Sequence, residues 1–111
     1  MEVVMAKPLK VQIIERAKEL IQDKRQWCRG YLAVDAYGDS ADPITKEAVK
    51  RCALGALVAA AYELTNNGVR SCELAVNALR PLCGSNTVVL VNDHRGHAAV
   101  LALFDEAMAI M

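Results

Sequence analysis

From Leu9 to about Lys24 the apolar residues recur with the period of an α-helix. Ile13, Ile14, Ala17, Leu20 and Ile21 fall on one stripe, and Lys10, Glu15, Arg16, Lys18, Glu19, Gln22 and Asp23 fill the other positions. This pattern predicts an amphipathic helix laying one stripe on a core. Lys7-Pro8 opens it, because the missing proline N–H costs nothing in a first turn. The period is then lost from Arg25 to Asp42. Trp27 is the only tryptophan, and Gly30 follows it. Tyr31–Ala36 suits either a continued helix or a short strand, and Gly38–Asp42 reads as a loop of turn-forming residues.

Asp42-Pro43 reads as the start of a second helix, with Asp as cap, Pro in the first turn and Glu47 near the positive end of the dipole. Lys46, Glu47, Lys50 and Arg51 keep its opening turns wet. From Cys52 to Tyr62 the run Cys-Ala-Leu-Gly-Ala-Leu-Val-Ala-Ala-Ala-Tyr carries no charge. A helix apolar on every side is one surrounded by other elements, and the run falls short of the about 20 residues needed to cross a bilayer. The rest of the chain is expected to pack around it. Cys52, Gly55 and Ala59 form a strip of small residues on which another helix is expected to cross closely. That close packing offsets the about 1 kcal/mol that Gly costs a helix relative to Ala.

Asn66-Asn67-Gly68 ends this helix, with Gly68 expected to take the left-handed conformation. A third helix follows over Ser71–Arg80, capped by Ser71, with Cys72, Ala75, Val76 and Leu79 as its apolar stripe and Pro81 as its stop. Val88–Val91 fits a short buried strand, a helical turn or an extended segment crossing the core. Asn92–His97 reads as a polar turn. The last helix runs from near His97 to Ile110, with Val100, Leu101, Phe104, Ala107 and Met108 inward.

The elements add up to one mainly α domain over residues 1–111. It is a compact four-helix, or five-helix, arrangement around a buried central helix, with at most one short strand pair. Ile13, Ala17, Leu20, Ala56, Ala60, Val76, Leu79, Leu101 and Phe104 are the expected core.

Composition narrows the function classes. Hydrophobic residues make up 54% of the chain and aromatics 5%, which excludes disorder and favours close-packed helices over a sheet sandwich. Thirteen basic and thirteen acidic residues cancel, so no global field draws in a polyanion, and nucleic acid is not an expected partner. A helix-turn-helix on Leu64–Val69 fails on the same ground, since Ser71–Arg80 carries one basic residue, Arg80, offset by Glu73. The apolar cluster in Met1–Leu9 is too short for a signal peptide and is broken by Lys7-Pro8. With no membrane-spanning segment either, the expected location is the cytoplasm. There Cys28, Cys52, Cys72 and Cys83, none in a C-x-x-C pair, are expected to act as small hydrophobes.

Three sites remain to be weighed. A thiol-dependent enzyme would use Cys52, with His94 or His97 as base and Asn92 or Asp93 orienting the imidazole. Its weakness is that Cys52 lies more than two turns beyond Pro43, away from the free N–H groups of a helix start. A metal site would need Asp35, Asp93, His94 and His97 to converge, yet Gly96 separates the two imidazoles and no local ligand set is complete. No metal and no cofactor is therefore expected. The third is a polar and aromatic set outside the core: Trp27, Arg29, Tyr31, Asp35, Asn92, Asp93 and His94. Trp and Arg are favoured binding anchors, but a Trp that merely covers the core is the commoner outcome.

Trp27 with Gly30, Asp35 with Gly38, the run Cys52-Ala53-Leu54-Gly55-Ala56-Leu57, Asn92-Asp93, and Leu103-Phe104-Asp105 together resemble a family of small uncharacterised domains of bacteria and their phages, grouped as a domain of unknown function. Arg51 departs from the aromatic that often precedes the Cys in that pattern, and Val69–Asn86 is particular to this chain. The resemblance implies a small, mostly helical domain and brings no activity, substrate or catalytic residue.

The expected function is a non-catalytic binding or interaction module for a protein or small ligand, with the thiol-dependent enzyme as the alternative. Trp27, Asp35, Asn92 and Asp93 are further expected to meet beside the central helix, with Asn92 or Asp93 accepting hydrogen bonds from the Trp27–Tyr31 backbone as a structural clasp.

Overall fold

A computed structural model describes residues 7–110 of the chain. The reading of the Met1–Ala6 end of the N-terminal apolar cluster lies outside them. Helix α1, Leu9–Ile21, starts behind Pro8 and buries Ile13, Ile14, Ala17 and Ile21. A 3₁₀ turn, Lys24–Gln26, leads to Trp27. Strand β1, Ala33–Val34, pairs antiparallel with β2, Lys50–Arg51, in the register Ala33 opposite Arg51 and Val34 opposite Lys50. The helices α2 (Ala53–Thr65), α3 (Gly68–Leu79), α4 (Val88–Arg95) and α5 (His97–Ile110) complete the chain, with a 3₁₀ turn at Arg80–Cys83. The fold is mainly α, five helices with one short strand pair among the described residues. Tyr31–Ala36, left open by its sequence, contains β1.

Helix α2 is the buried centre. Ala53, Gly55, Ala56, Leu57, Ala59, Ala60 and Ala61 are all shielded, and α1, α3 and α4 pack around it. Of the expected core residues, Ile13, Ala17, Ala56, Ala60, Leu79 and Phe104 are buried, while Leu20, Val76 and Leu101 are partly buried against them. Exposed ion pairs tie α1 to its neighbours: Arg16 holds Glu63 of α2 at 2.7 Å and Lys18 holds Asp105 of α5 at 2.6 Å. Such surface pairs are worth at most about 1 kcal/mol each, so apolar burial dominates.

Four expectations about boundaries are corrected. The central helix does not start at Asp42-Pro43. Asp42 instead caps a turn, accepting from the Ile44 N–H at 3.1 Å; a second turn follows, closed by the Ala48 N–H donating to Thr45 O at 3.3 Å, and only then does the chain run extended. The Cys28 N–H donates to Arg51 O at 3.1 Å and the Cys52 N–H donates to Leu32 O at 3.0 Å. These ladder bonds hold Arg51 between two extended segments and postpone the helix to Ala53. The C-cap of α2 in the left-handed conformation is Asn66, at φ 60°. Gly68 instead opens α3, capped by Asn67 rather than Ser71. Asn92–Arg95 belongs to α4 and is not a turn, because Thr87 caps that helix at its start and Gly96, at φ 91°, closes it.

A fifth correction concerns Gly55. The element that crosses it is the backbone of Leu32, not another helix. A Cβ built on Gly55 would lie 1.9 Å from Leu32 O, a carbonyl already held by the Cys52 N–H. Backbone so fixed cannot yield cheaply. Gly55→Ala is therefore expected to destabilise the protein by about 1–3 kcal/mol, the range for overpacking, despite Ala's better helix propensity. Urea denaturation measures this, and an unchanged or raised midpoint would show that Leu32 does not rest on α2.

Candidate functional site

The polar chemistry of the chain gathers where α4 meets the start of α2. Asn92 lies on the inner face of α4 and is wholly buried, the one buried polar side chain among the described residues. An amide has two donor hydrogens and an acceptor oxygen with two lone pairs, and all four positions are used. Its Oδ1 accepts from Trp27 Nε1 at 2.6 Å and from the Ala53 N–H at 2.9 Å. Its Nδ2 donates to Cys28 O at 3.1 Å and to Asp93 Oδ1 at 3.1 Å. Asp93 Oδ1 also accepts from the Gly30 N–H at 3.1 Å. The Ala53 N–H is one of the four donors a helix start leaves without an internal partner, so a side chain 39 residues away caps α2.

Around this knot two rings meet at a tilt of 53°. Trp27 is 8% exposed, and its ring centroid lies 5.5 Å from that of His97. The Arg29 guanidinium sits 5.1 Å above it, a cation–π arrangement. The Nε2 of His97 lies 2.6 Å from Ile21 O. That distance requires the proton on Nε2, so His97 donates to the last carbonyl of α1 and caps that helix too.

The structure thus brings together Trp27, Arg29, Asn92 and Asp93. Asp35 stands apart: its carboxylate closes its own turn, accepting from the Tyr37 and Asp39 N–H groups at 2.9 and 3.0 Å. His94 is exposed in the last turn of α4. Tyr31 is 54% exposed and, with Gly30, Leu32, Cys52, Val89 and Asp93, lines a recess of about 180 Å³ over the start of α2.

Cys52 is not deep in a helix, as its spacing from Pro43 suggested, but is the N-cap of α2. Its Sγ accepts from the Gly55 N–H at 3.3 Å. The position is one that lowers a thiol pKa when exposed. Here the net effect runs the other way: burial pushes the Cys52 thiol up, against the pull of the Gly55 and Leu54 N–H groups. Burial likewise raises neighbouring Cys28, to about 11. No imidazole hydrogen-bonds to Cys52 among the described residues, since His97 is engaged with Ile21 O. The carboxyl of Asp93 is held below its ordinary value, chiefly by the Asn92 amide and then by the Gly30 N–H. Among the described residues no three His, Cys, Asp or Glu side chains converge on a point that a metal ion could occupy.

A second feature escaped the sequence reading. An apolar groove runs along the outer side of α2 and α3. Leu54, Val58, Val69, Cys72, Glu73, Val76, Asn77 and Arg80 line a stretch of about 530 Å³. Leu54, Val76 and Arg80 continue into an adjoining stretch of about 260 Å³ closed by Asn86–Val89 at the start of α4. Val69 is 75% exposed. The signal for this groove was present in the spacing of Leu54 and Val58, four apart, and of Val69, Val76 and Arg80, seven and four apart. These form a second helical stripe beside the one that α3 buries.

Residues 5–110 match a family of unknown function, DUF6197, and the chain belongs to that family. No curated protein and no solved structure matches it.

Two outcomes test the knot. Asn92→Ala leaves the Trp27 and Ala53 N–H groups without partners, and each orphaned buried donor costs about 1–3 kcal/mol, so a loss of at least about 2 kcal/mol is expected in denaturant titration. Asp93 gives a pH signature. Its folded pKa is depressed, so its stabilising contribution is fully present above the unfolded value near 3.8 and is lost as pH falls through the lower folded value. The stability advantage of the wild type over Asp93→Asn is expected to be constant near neutrality and to shrink below that value. An advantage that grew on acidification would show that the carboxylate is not what the Gly30 and Asn92 N–H groups hold.

Proposed function

We propose that this DUF6197 domain is a non-catalytic interaction module, and that its contact face is the groove on α2 and α3 rather than the Asn92 knot. The observation that carries this reading is the opposite condition of the two features. Every hydrogen-bonding position of Asn92 is taken inside the molecule, and no buried side-chain N or O among the described residues lacks a partner. A site that acts on a ligand needs unspent polar groups; a clasp does not. The groove instead presents half-buried Leu54, Val58 and Val76 and exposed Val69. Contiguous apolar surface rimmed by charge is the usual mark of a contact face. Trp27, Asn92 and Asp93 then serve as the clasp, with Arg29, Tyr31 and His94 at its margin.

The thiol-dependent alternative draws support from Cys52 capping α2 within a recess shared with Asp93. Its buried, upward-shifted thiol weighs against it.

Two measurements separate these readings. Native protein treated with iodoacetamide near neutral pH is expected to label Cys52 only as fast as the domain opens; rapid labelling in the folded state would favour the enzyme. Second, Val76→Asp places a charge in the groove while leaving the clasp intact. Tagged wild type purified from its host is expected to carry a bound protein, whether the untagged chain itself or another, that Val76→Asp loses at unchanged circular dichroism. Identical companions for both baits would dismiss the groove as the contact face.

A further inference from the structure

The groove side of α3 carries one acid, Glu73, and the residue that caps its C-terminus in helical conformation is a base, Arg80. They are seven residues apart, two helical turns or about 10 Å along the axis, and therefore share a face. Val76 and Asn77 lie midway between them. Neither Glu73 nor Arg80 has an ion-pair partner or a side-chain hydrogen bond among the described residues, whereas Arg16, Lys18 and Glu63 elsewhere on the surface do. Both are exposed. A cation and an anion placed symmetrically about a midpoint on one helix are self-complementary. Rotated by 180° about that midpoint, the helix presents its base to its own acid and its acid to its own base.

We infer that the groove is covered by the same groove of a second copy of this chain, the two α3 helices running antiparallel across a twofold axis at Val76 and Asn77. This rests on the reading of the groove as the contact face and names its partner. Each Glu73 then meets Arg80 of the other copy, giving two equivalent ion pairs flanking Val76 and Asn77. Leu54 and Val58 of α2 border that centre, so the contact is a four-helix layer of α2 and α3 from each copy. An interface that repeats the same contacts on both sides is the usual form of a homodimer. The chain's net charge of zero imposes no long-range repulsion between copies. A foreign helix would have to bring an acid and a base at matching spacing; a second copy has them by construction.

The test is the oligomeric state of the whole chain, by sedimentation equilibrium between about 1 µM and about 1 mM, the span of weak to moderate association. A monomer–dimer equilibrium is expected within it. Glu73→Arg and Arg80→Glu alter exposed positions and turn both attractions into repulsions. Each is expected to raise the dimer Kd by at least about tenfold, the scale of reversing two surface ion pairs. Mixing the two variants in equal amounts sets the two introduced charges, opposite in sign, against each other and leaves one native Glu73–Arg80 pair, and is expected to restore a dimer made of one of each. A wild type that stays monomeric throughout, a dimer indifferent to either reversal, or a mixture that does not reassociate would each overturn the proposal. The host purification distinguishes the two levels. A monomer whose other protein companion is lost with Val76→Asp retains the contact face and loses only the second copy as its occupant. A monomer with no such companion loses both.

Discussion

One buried amide holds the architecture in register. Asn92 couples three parts of the chain that have no local reason to meet: the Trp27–Gly30 segment, the first N–H of α2, and α4 itself. The choice of residue follows from the donors and acceptors that surround it. An Asp at this position would accept from Trp27 and Ala53 but would offer nothing to Cys28 O and would face Asp93 as a like charge. A Leu would fill the volume and leave two N–H donors and a carbonyl stranded. Only a group that both accepts and donates twice fits without a deficit, and unpaired buried groups are what folded proteins avoid most consistently.

The second constraint is the absence of a side chain at Gly55. The Leu32 backbone rests where a Cβ would stand. That contact lets the Cys28–Val34 segment lie over the start of α2, where it shields Cys52 and completes the recess beneath Tyr31. The consequence for chemistry is direct. Placing a thiol at a helix N-terminus favours its anion, yet the same overlying segment removes the water the anion would need. Burial wins, so the geometry that makes Cys52 a good cap also holds its thiol above the ordinary value.

These two constraints explain which features were legible in the sequence. Helices α1 and α5 were plain, because amphipathic period and core burial are the same fact seen twice. The buried nature of Cys52–Ala61 was plain for its lack of any polar face. The start of that helix was not. Asp42 and Pro43 are sound local signals and do form a turn, but ladder bonds to Leu32 and Cys28, residues distant in sequence, override the helical preference of Lys46–Lys50. Val88–Val91 remained ambiguous because β-branched residues lose little when Thr87 and Gly96 define a helix around them. Trp27, Asn92 and Asp93 were singled out as polar groups without a local explanation, and all three are in the knot. Asp35 was singled out on the same reasoning and has a local explanation after all, its own turn. The groove left a signal in the spacing of its residues, but that spacing looks like core until α3 is seen to bury only one of its two stripes.

Helix α4 joins the interior to the surface. Its inner face carries Asn92, together with buried Val88 and Val91, while Val88 and Val89 at its start also close one end of the groove. The groove is therefore not a free-standing surface feature. Its end wall is seated by the hydrogen bonds that Asn92 makes to Trp27, Cys28 and Ala53, and its floor is the same α2 that those bonds cap. The polar residues that drew notice in the sequence and the apolar ones that did not thus form one construction: the first set spends its chemistry inside the domain to fix the position of the second. A domain organised this way keeps its most specific chemistry out of reach of solvent and presents shape and a sparse charge pattern outside.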